Sequence, residues 1–403
     1  MKTCKSLSTK DLKLTIPFHR LPLLVQVQTI QTMGPKDWIN LAMTSKRNER
    51  VVKIARLKTG HFSVDICHAA CIKLSSFKLT LFYDKHYART KKTWGMMTRE
   101  NMKSWLNEPS NSMIENAGIL FQKMQNIFVI PKNLEISYCT DIKNKKRAAT
   151  IEELLSNPVM ENWKKLSIYG KKISSEDLKM IMNTATSKRT FESKVGEMPL
   201  DFEHENAFKF WIQDYHDARW VKIEDLYGLR NLVHVVLRRN LFTHEQLKSF
   251  VNYWVNSDVD MFGWIQIQRI VRLDFENVVD GLIGLQGSDL NSRLFLTLSE
   301  SPKKRRKTML SIDYNVRHKS LLLMAWDINK KYTPSKNEEE NKKFENVGMV
   351  LTLLHKKKKL EDLREVASEE ARMEMNENIN CLIAALSEFN VIFMNGKVTH
   401  QLF

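Results

Sequence analysis

The stretch LVHVVLRRNLF (232–242) decides the fold that the sequence predicts. It matches the leucine-rich frame L-x-x-L-x-L-x-x-N-x-L, which is typical of a short strand that buries its apolar positions. The next segment, THEQLKSFVNYW (243–254), has apolar residues at helical spacing and Thr243 as a candidate N-cap. The two segments together predict a strand followed by a helix. The frame positions are Leu232, Val235, Leu237, Asn240 and Phe242.

Neighbouring segments repeat this pattern. WKKLSIYGKKI (163–173) fits the frame, with Lys171 at the asparagine position, and a helical segment follows it. KNLEISYC (132–139) is also in frame. We therefore predict an α+β or α/β fold in which stacked strand–helix units leave one strand face open. The alternative is an ordinary α+β domain whose strands happen to share the frame. Further strands are predicted at FKLTLFYD (77–84), FGWIQIQRI (262–270) and SRLFLTLSE (292–300).

The segments on either side of these strands predict different structures. MGPKDWINLAMTSK (33–46) indicates a turn at Gly34-Pro35 between two short helices, and RNERVVKIARLK (47–58) indicates a third helix. TMLSIDY (308–314) and KSLLLMAW (319–326) predict a closing hairpin. LLHKKKKLEDLREVASEEA (353–371) predicts an amphipathic helix with Leu353, Leu360 and Ala367 at heptad spacing. The predicted division is a helical module at 17–60, a strand–helix domain at 61–330, a charged linker at 331–346 and a helical segment at 347–403.

Length and composition restrict the class of protein. A chain of 403 residues, of which 43% are hydrophobic, can bury a sizeable core. No apolar run approaches the ~20 residues that a membrane span needs, and the first residues lack the apolar region of a secretory signal. Five cysteines are few and odd in number, which favours a reduced compartment. We expect a cytoplasmic location, a nuclear location or both, and no membrane partner.

The net charge of +17 raises the hypothesis of nucleic-acid binding. Its densest basic runs are KKRRK (303–307) and KKKK (356–359). The first run also fits a nuclear-localisation pattern, and the remaining interpretation is a solvated loop. Because most of the other basic residues are dispersed, nucleic acid is the less favoured partner.

The sequence contains no recognisable catalytic motif, such as a phosphate-binding loop, a nucleophile elbow or the H-E-x-x-H motif. Cys67, His68 and Cys71 could supply metal ligands, but no second pair follows at zinc-finger spacing. If this segment is a helix, Cys67 and Cys71 are expected to be buried apolar residues. Asp217 and Arg219 indicate a structural ion pair rather than proton transfer. We therefore predict a binding protein that is not an enzyme and has no metal site and no cofactor.

Two segments resemble one known family. LPLLVQVQTIQTMGPKDWINLAMTSKRNERVVK (21–53) resembles an F-box, with Leu21-Pro22 at its start and a proline turn between helices. YHDARWVKIEDLYGLRNLVHVVLRRNLFTHEQLKSFVNYWVNS (215–257) resembles the type 2 F-box-associated domain of nematode F-box proteins. The two resemblances occur in the order expected of that family. The sequence departs from the family after Leu21-Pro22, where glutamate is usual, and in the turn of the closing hairpin.

The resemblance implies a substrate-recognition subunit of a Skp–cullin–F-box ubiquitin ligase. The partners would be the Skp adaptor, cullin through that adaptor, and an unknown target protein, while other subunits would catalyse ubiquitin transfer. The alternatives are a basic nucleic-acid-binding protein and a repeat scaffold without a ligase role. We expect the following residues to divide between the core of the module and an adaptor-binding surface: Leu21, Pro22, Leu24, Ile30, Trp38, Ile39 and Leu41.

The leucine-rich frame itself predicts the target site. Its apolar positions point inward, so the residues between them line the exposed strand face. The predicted target-binding residues are Ser167, Tyr169, His234, Val236, Arg238, Gln266 and Gln268.

Overall fold

The computed structural model describes residues 17–67, 69–74, 77–82, 103–106, 112–130, 133–141, 149–268, 273–288, 292–301, 304–330, 346–394 and 397–400. The chain divides into two compact units, one made of residues 1–136 and 142–163 and the other of residues 137–141 and 164–403. The units therefore do not coincide with the division at residues 60 and 330 that the sequence suggested. Residues 331–345 of the predicted linker lie outside the described residues.

The first unit begins with three helices whose ends follow from local sequence. Pro35 occupies the first turn of the second helix, where its missing N–H is not needed. The side chain of Ser45 accepts a hydrogen bond from the Asn48 N–H and so caps the third helix. The helices are α1 (Leu23–Thr32), α2 (Pro35–Thr44), α3 (Lys46–Ile54), α4 (Lys103–Leu106), α5 (Met113–Ile127) and α6 (Ile151–Ser156).

The strands of the first unit form an antiparallel meander. β1 (Phe62–Ile66) pairs with β2 (Ala69–Leu74), which pairs with β3 (Phe77–Phe82), and β4 (Leu134–Cys139) ends in the second unit. The rings of Phe62 and Phe121 lie 4.8 Å apart, so α5 packs on this sheet. Cys71 is buried in β2, so the helix considered for Cys67 and Cys71 is wrong. His68 lies outside the described residues.

The second unit contains five neighbouring parallel strands. They are β5 (Trp163–Lys172), β6 (Thr190–Glu197), β7 (Ile212–Tyr215), β8 (Leu232–Leu237) and β9 (Phe262–Gln268). The helices of this stretch are α7 (Ser175–Asn183), α8 (Ile223–Tyr227), α9 (His244–Asn256) and α10 (Phe275–Val279). Helix α9 packs on β9, since the rings of Phe250 and Phe262 are 6.0 Å apart. The mixed α/β fold expected from the sequence is confirmed.

Antiparallel strands extend this sheet beyond β9. They are β10 (Gly284–Ser288), β11 (Ser292–Leu298), β12 (Met309–Asn315) and β13 (Ser320–Trp326). The β12–β13 hairpin, which the sequence predicted, places β13 against β9. The order from β10 to β5 is β10-β11-β12-β13-β9-β8-β7-β6-β5.

The C-terminal segment is not entirely helical, which corrects the expectation for residues 347–403. Helix α11 (Val347–Val366) ends at Ala367, helix α12 (Glu369–Glu388) follows, and β14 (Val391–Met394) and β15 (Lys397–His400) form a hairpin. Strand β15 pairs in parallel with β10. Val350 and Leu354 of α11 pack with Leu296 and Met309 of the sheet. Within the described part of the chain, no helix has the length and apolar character needed to cross a membrane.

Candidate functional site

The predicted target-binding residues lie on one face of the parallel strands, which we call the outer face. Ser167, Val236 and Gln266 belong to a single row of the sheet, and the row passes through Glu192 of β6 and Asp214 of β7. Side chains alternate between the two faces of a strand, so all members of the row point to the same side. Two further rows lie on the same face. The row toward the amino-terminal ends of the strands holds His234, and the row toward their carboxyl ends holds Tyr169, Arg238 and Gln268.

Arg238 is the centre of one polar network on the outer face. Its guanidinium donates two hydrogen bonds to the Asp214 carboxylate, at 2.9 and 2.7 Å, and a third to Gln268 Oε1 at 2.9 Å. The hydrogen bonds to Asp214 raise the pKa of Arg238. Such a two-pronged contact fixes the guanidinium in one plane. Arg238 is therefore preorganised, and its charge is already partly neutralised.

Glu192 is the centre of a second network beside the first. Its carboxylate contacts Lys165 Nζ at 2.6 Å and Lys194 Nζ at 3.0 Å, and it accepts a hydrogen bond from Ser167 Oγ at 3.0 Å. Burial alone would raise the pKa of Glu192, but the hydrogen bonds from the two lysines outweigh burial and lower it. The predicted residue Ser167 thus holds a carboxylate in place and is itself 8% exposed.

An aromatic pair forms the apolar part of the outer face. The His234 imidazole stacks on the Trp264 indole, with 4.0 Å between ring centroids and 10° between planes. Burial lowers the pKa of His234, so the neutral ring is favoured. Trp264 is 36% exposed, whereas the neighbouring Val236 is only 5% exposed. The indole, rather than Val236, offers contact surface to a partner.

The sequence interpretation missed three residues of this face, Glu192, Asp214 and Trp264. Glu192 and Asp214 lie on β6 and β7, which stand between the strands that the frame identified. The available signal for β7 was its alternating burial, in which Ile212 and Asp214 alternate with the buried Gln213 and Tyr215. The polar Gln213 obscured that signal, because the frame calls for an apolar residue there.

The predicted adaptor residues are divided between core and surface in the first unit. Ile30 and Ile39 are fully buried, and the Trp38 indole donates a 2.8 Å hydrogen bond to the Ile30 carbonyl. Leu21, Trp38 and Leu41 are half-buried, and Pro22 is exposed. Leu24 is 67% exposed, and the adjacent Leu23 and Val25 are 51% and 39% exposed. The first turn of helix α1 therefore exposes three apolar side chains to solvent.

The basic run at 303–307 is partly built into the fold. Arg305 is 7% exposed, its guanidinium lies 3.8 Å from the centroid of the Trp254 ring, and it donates to the Trp254 carbonyl at 2.7 Å. Neither a solvated loop nor an exposed import signal therefore describes Arg305. In the second basic run, Lys357 pairs with Glu361 and Lys358 with Asp362. Lys303 lies outside the described residues.

Asp217 and Arg219 form the structural ion pair that the sequence indicated. Asp217 is fully buried, and both of its oxygens accept hydrogen bonds from Arg219 at 2.7 Å. The described ranges contain no group of three histidine, cysteine or acidic side chains placed to hold a metal ion.

We found no match for this chain among protein-family models, curated proteins or solved structures.

Proposed function

We propose that this chain is a substrate-recognition subunit of a Skp–cullin–F-box ubiquitin ligase. Helix α1 binds the Skp adaptor, and the outer face of the second unit binds the target. Ubiquitin transfer takes place on other subunits, so the chain contributes proximity and specificity rather than catalysis.

The observation that carries the proposal is the exposure of apolar side chains in the first turn of α1. Gln26 is buried and donates a 2.7 Å hydrogen bond to the Leu21 carbonyl, while Leu23 and Leu24 are exposed on the same helix. Burying a leucine side chain stabilises a protein by about 1.5–3 kcal/mol relative to leaving the side chain in water. Two adjacent exposed leucines on a helix therefore favour a partner surface, which an F-box module would find on its adaptor.

The arrangement of the second unit supports the other half of the proposal. Parallel strands β5 to β9 place side chains from several rows on one common face, as a leucine-rich-repeat-like stack does. Tryptophan and arginine are frequent anchors in protein interfaces, and Trp264 and Arg238 both lie there. A repeat scaffold without a ligase role would use the same face but would not need α1.

The decisive experiment compares two leucines of equal exposure. Leu24 in α1 and Leu241 in the second unit are both 67% exposed, so Leu24→Asp and Leu241→Asp should perturb folding equally little. We expect Leu24→Asp to reduce co-purification with a co-expressed Skp adaptor by about tenfold or more, because an aspartate in an apolar interface is left unpaired. Leu241→Asp should retain the adaptor.

Two further measurements complete this test. The double change Leu21→Ala and Pro22→Ala should also lose the adaptor while leaving the second unit folded, as judged by limited proteolysis. Undiminished adaptor capture by Leu24→Asp, or equal loss by Leu241→Asp, would overturn the proposal.

A further inference from the structure

A cleft of about 670 Å³ lies at the amino-terminal edge of the parallel strands. Its walls come from the loops that lead into β6, β7 and β8. None of its residues was among the predicted site residues. The cleft therefore needs its own explanation.

Carboxylates predominate among the charged groups of the cleft. Glu203, Glu205, Glu224 and Asp225 line it, against two cations, Lys209 and Arg230. The Arg230 guanidinium is already bound, since it donates to the carbonyl oxygens of Tyr227 and Leu229 at 3.0 and 2.6 Å. This acidic excess is opposite in sign to the whole chain, whose net charge is +17.

Two of the four carboxylates are engaged within the protein. Glu203 pairs with Lys222, and Asp225 Oδ2 accepts the Lys222 backbone N–H at 2.8 Å. Glu205 and Glu224 are exposed, and within the described residues neither forms an ion pair. Burial and then the nearby carboxylates Glu203 and Glu224 raise the pKa of Asp225. With Lys222 counted beside Lys209 and Arg230, three cations face four carboxylates, so the cleft keeps an excess of one negative charge.

Aromatic rings form the remaining wall. Trp211 is 47% exposed, which is unusual for so large an apolar side chain. Trp220 is 3% exposed and stacks on Phe208 at 6.0 Å, yet its Nε1–H has no hydrogen-bond partner among the described residues. A buried N–H donor without a partner is costly, and a ligand acceptor would remove that cost.

We propose that this cleft binds an arginine-bearing peptide segment of a partner protein. Glu205 and Glu224 accept hydrogen bonds from the guanidinium, whose plane stacks on Trp211, and a peptide carbonyl oxygen accepts the Trp220 N–H. Arginine fits better than lysine, because a guanidinium is planar and weakly hydrated and stacks on aromatic rings. This inference is independent of adaptor binding and of the outer face.

The test uses the purified full chain and two labelled, end-blocked peptides, Gly-Ser-Arg-Ser-Gly and the same peptide with citrulline for arginine. Citrulline keeps the shape of arginine and removes its charge. We expect fluorescence anisotropy to show about tenfold tighter binding of the arginine peptide, because hydrogen bonds to a charged group are the strong ones. The basic chain repels the positively charged arginine peptide at its other surfaces, so nonspecific binding of that peptide is low.

Matched variants locate the binding site. The double variant Glu205→Gln and Glu224→Gln should lower the affinity for the arginine peptide to that of the citrulline peptide, and Trp211→Ala should weaken both. The control is Glu176→Gln with Glu370→Gln, which removes the same charge from exposed first-turn positions of α7 and α12. It should change affinity by less than about twofold. Equal affinity for the two peptides, equal loss in the control, or no saturable binding would overturn the proposal.

Discussion

Asp217 shows how much stability a single buried carboxylate can contribute. It binds Arg219 through both oxygens and also accepts the Met198 backbone N–H at 3.0 Å. Burial alone would raise the pKa of Asp217, but the bonds from Arg219 and Met198 outweigh burial and lower it. Because the folded pKa lies below the unfolded value, the carboxylate stabilises the fold above pH ~4 and loses that effect as the pH falls through the folded pKa.

We expect Asp217→Asn to lower the free energy of unfolding by about 2–3 kcal/mol at pH 7, since it leaves Arg219 without its charged partner. The difference from wild type should begin to narrow below pH ~4, where the unfolded carboxylate takes up a proton, and should narrow further as the pH falls through the folded pKa. Urea unfolding of both proteins at pH 7, 5 and 3.5 measures this difference in the free energy of unfolding. The exposed Asp201→Asn is the control and should change stability by less than about 0.5 kcal/mol. A stability difference between wild type and Asp217→Asn that stays constant with pH would contradict this account.

Arg305 marks a limit of sequence interpretation at the residue scale. Five consecutive basic residues indicate an exposed segment, because isolated charges are costly to bury. The Trp254 ring and carbonyl partly compensate the guanidinium of Arg305, yet burial still lowers its pKa to about 10. Trp254 lies about fifty residues earlier in the chain. No local pattern could have connected these two residues.

At the scale of single elements, α9 was well predicted because its signals are local. Thr243 and Gln246 cap it reciprocally: the Thr243 hydroxyl accepts the Gln246 N–H at 3.2 Å, and the Gln246 side chain accepts the Thr243 N–H at 3.0 Å. We expect Thr243→Ala to cost about 1 kcal/mol in the free energy of unfolding. Thermal or urea unfolding measures the loss.

The control for that change is Ser249→Ala, which lies on the exposed side of the same helix. It should be neutral or slightly stabilising, because alanine has the higher helix propensity. If both variants lost the same stability, the cap would not be the cause.

Strand β7 was not predicted, for a physical reason that its residues show. It has only four residues, and its fully buried Gln213 donates to the Phe210 carbonyl at 3.1 Å instead of supplying an apolar side chain. Its place in the sheet is decided by neighbours on both sides, β6 and β8. Two strands, β6 with Glu192 and β7 with Asp214, separate Ser167 from His234.

At the scale of the whole molecule, salt dependence separates the proposed function from nucleic-acid binding. Adaptor capture through the exposed apolar side chains of α1 should change less than about threefold between 50 and 200 mM salt, because few ion pairs are involved. Binding to DNA through several phosphates falls by about 10³-fold or more over that range. Titrations of the adaptor and of a random-sequence duplex measure both. Adaptor binding that weakens steeply with salt would favour a charged contact instead of the apolar one.

The parallel pairing of β15 with β10 has a consequence for synthesis on the ribosome. Gln286 of β10 faces Thr399 of β15, so the two strands are made more than a hundred residues apart. At about 5–20 residues per second, the edge of β10 waits on the order of 5–20 s for its neighbour. An unpaired strand edge can join the edge of another chain. During translation, this border of the sheet therefore stays open to pairing with another chain until β15 has been made.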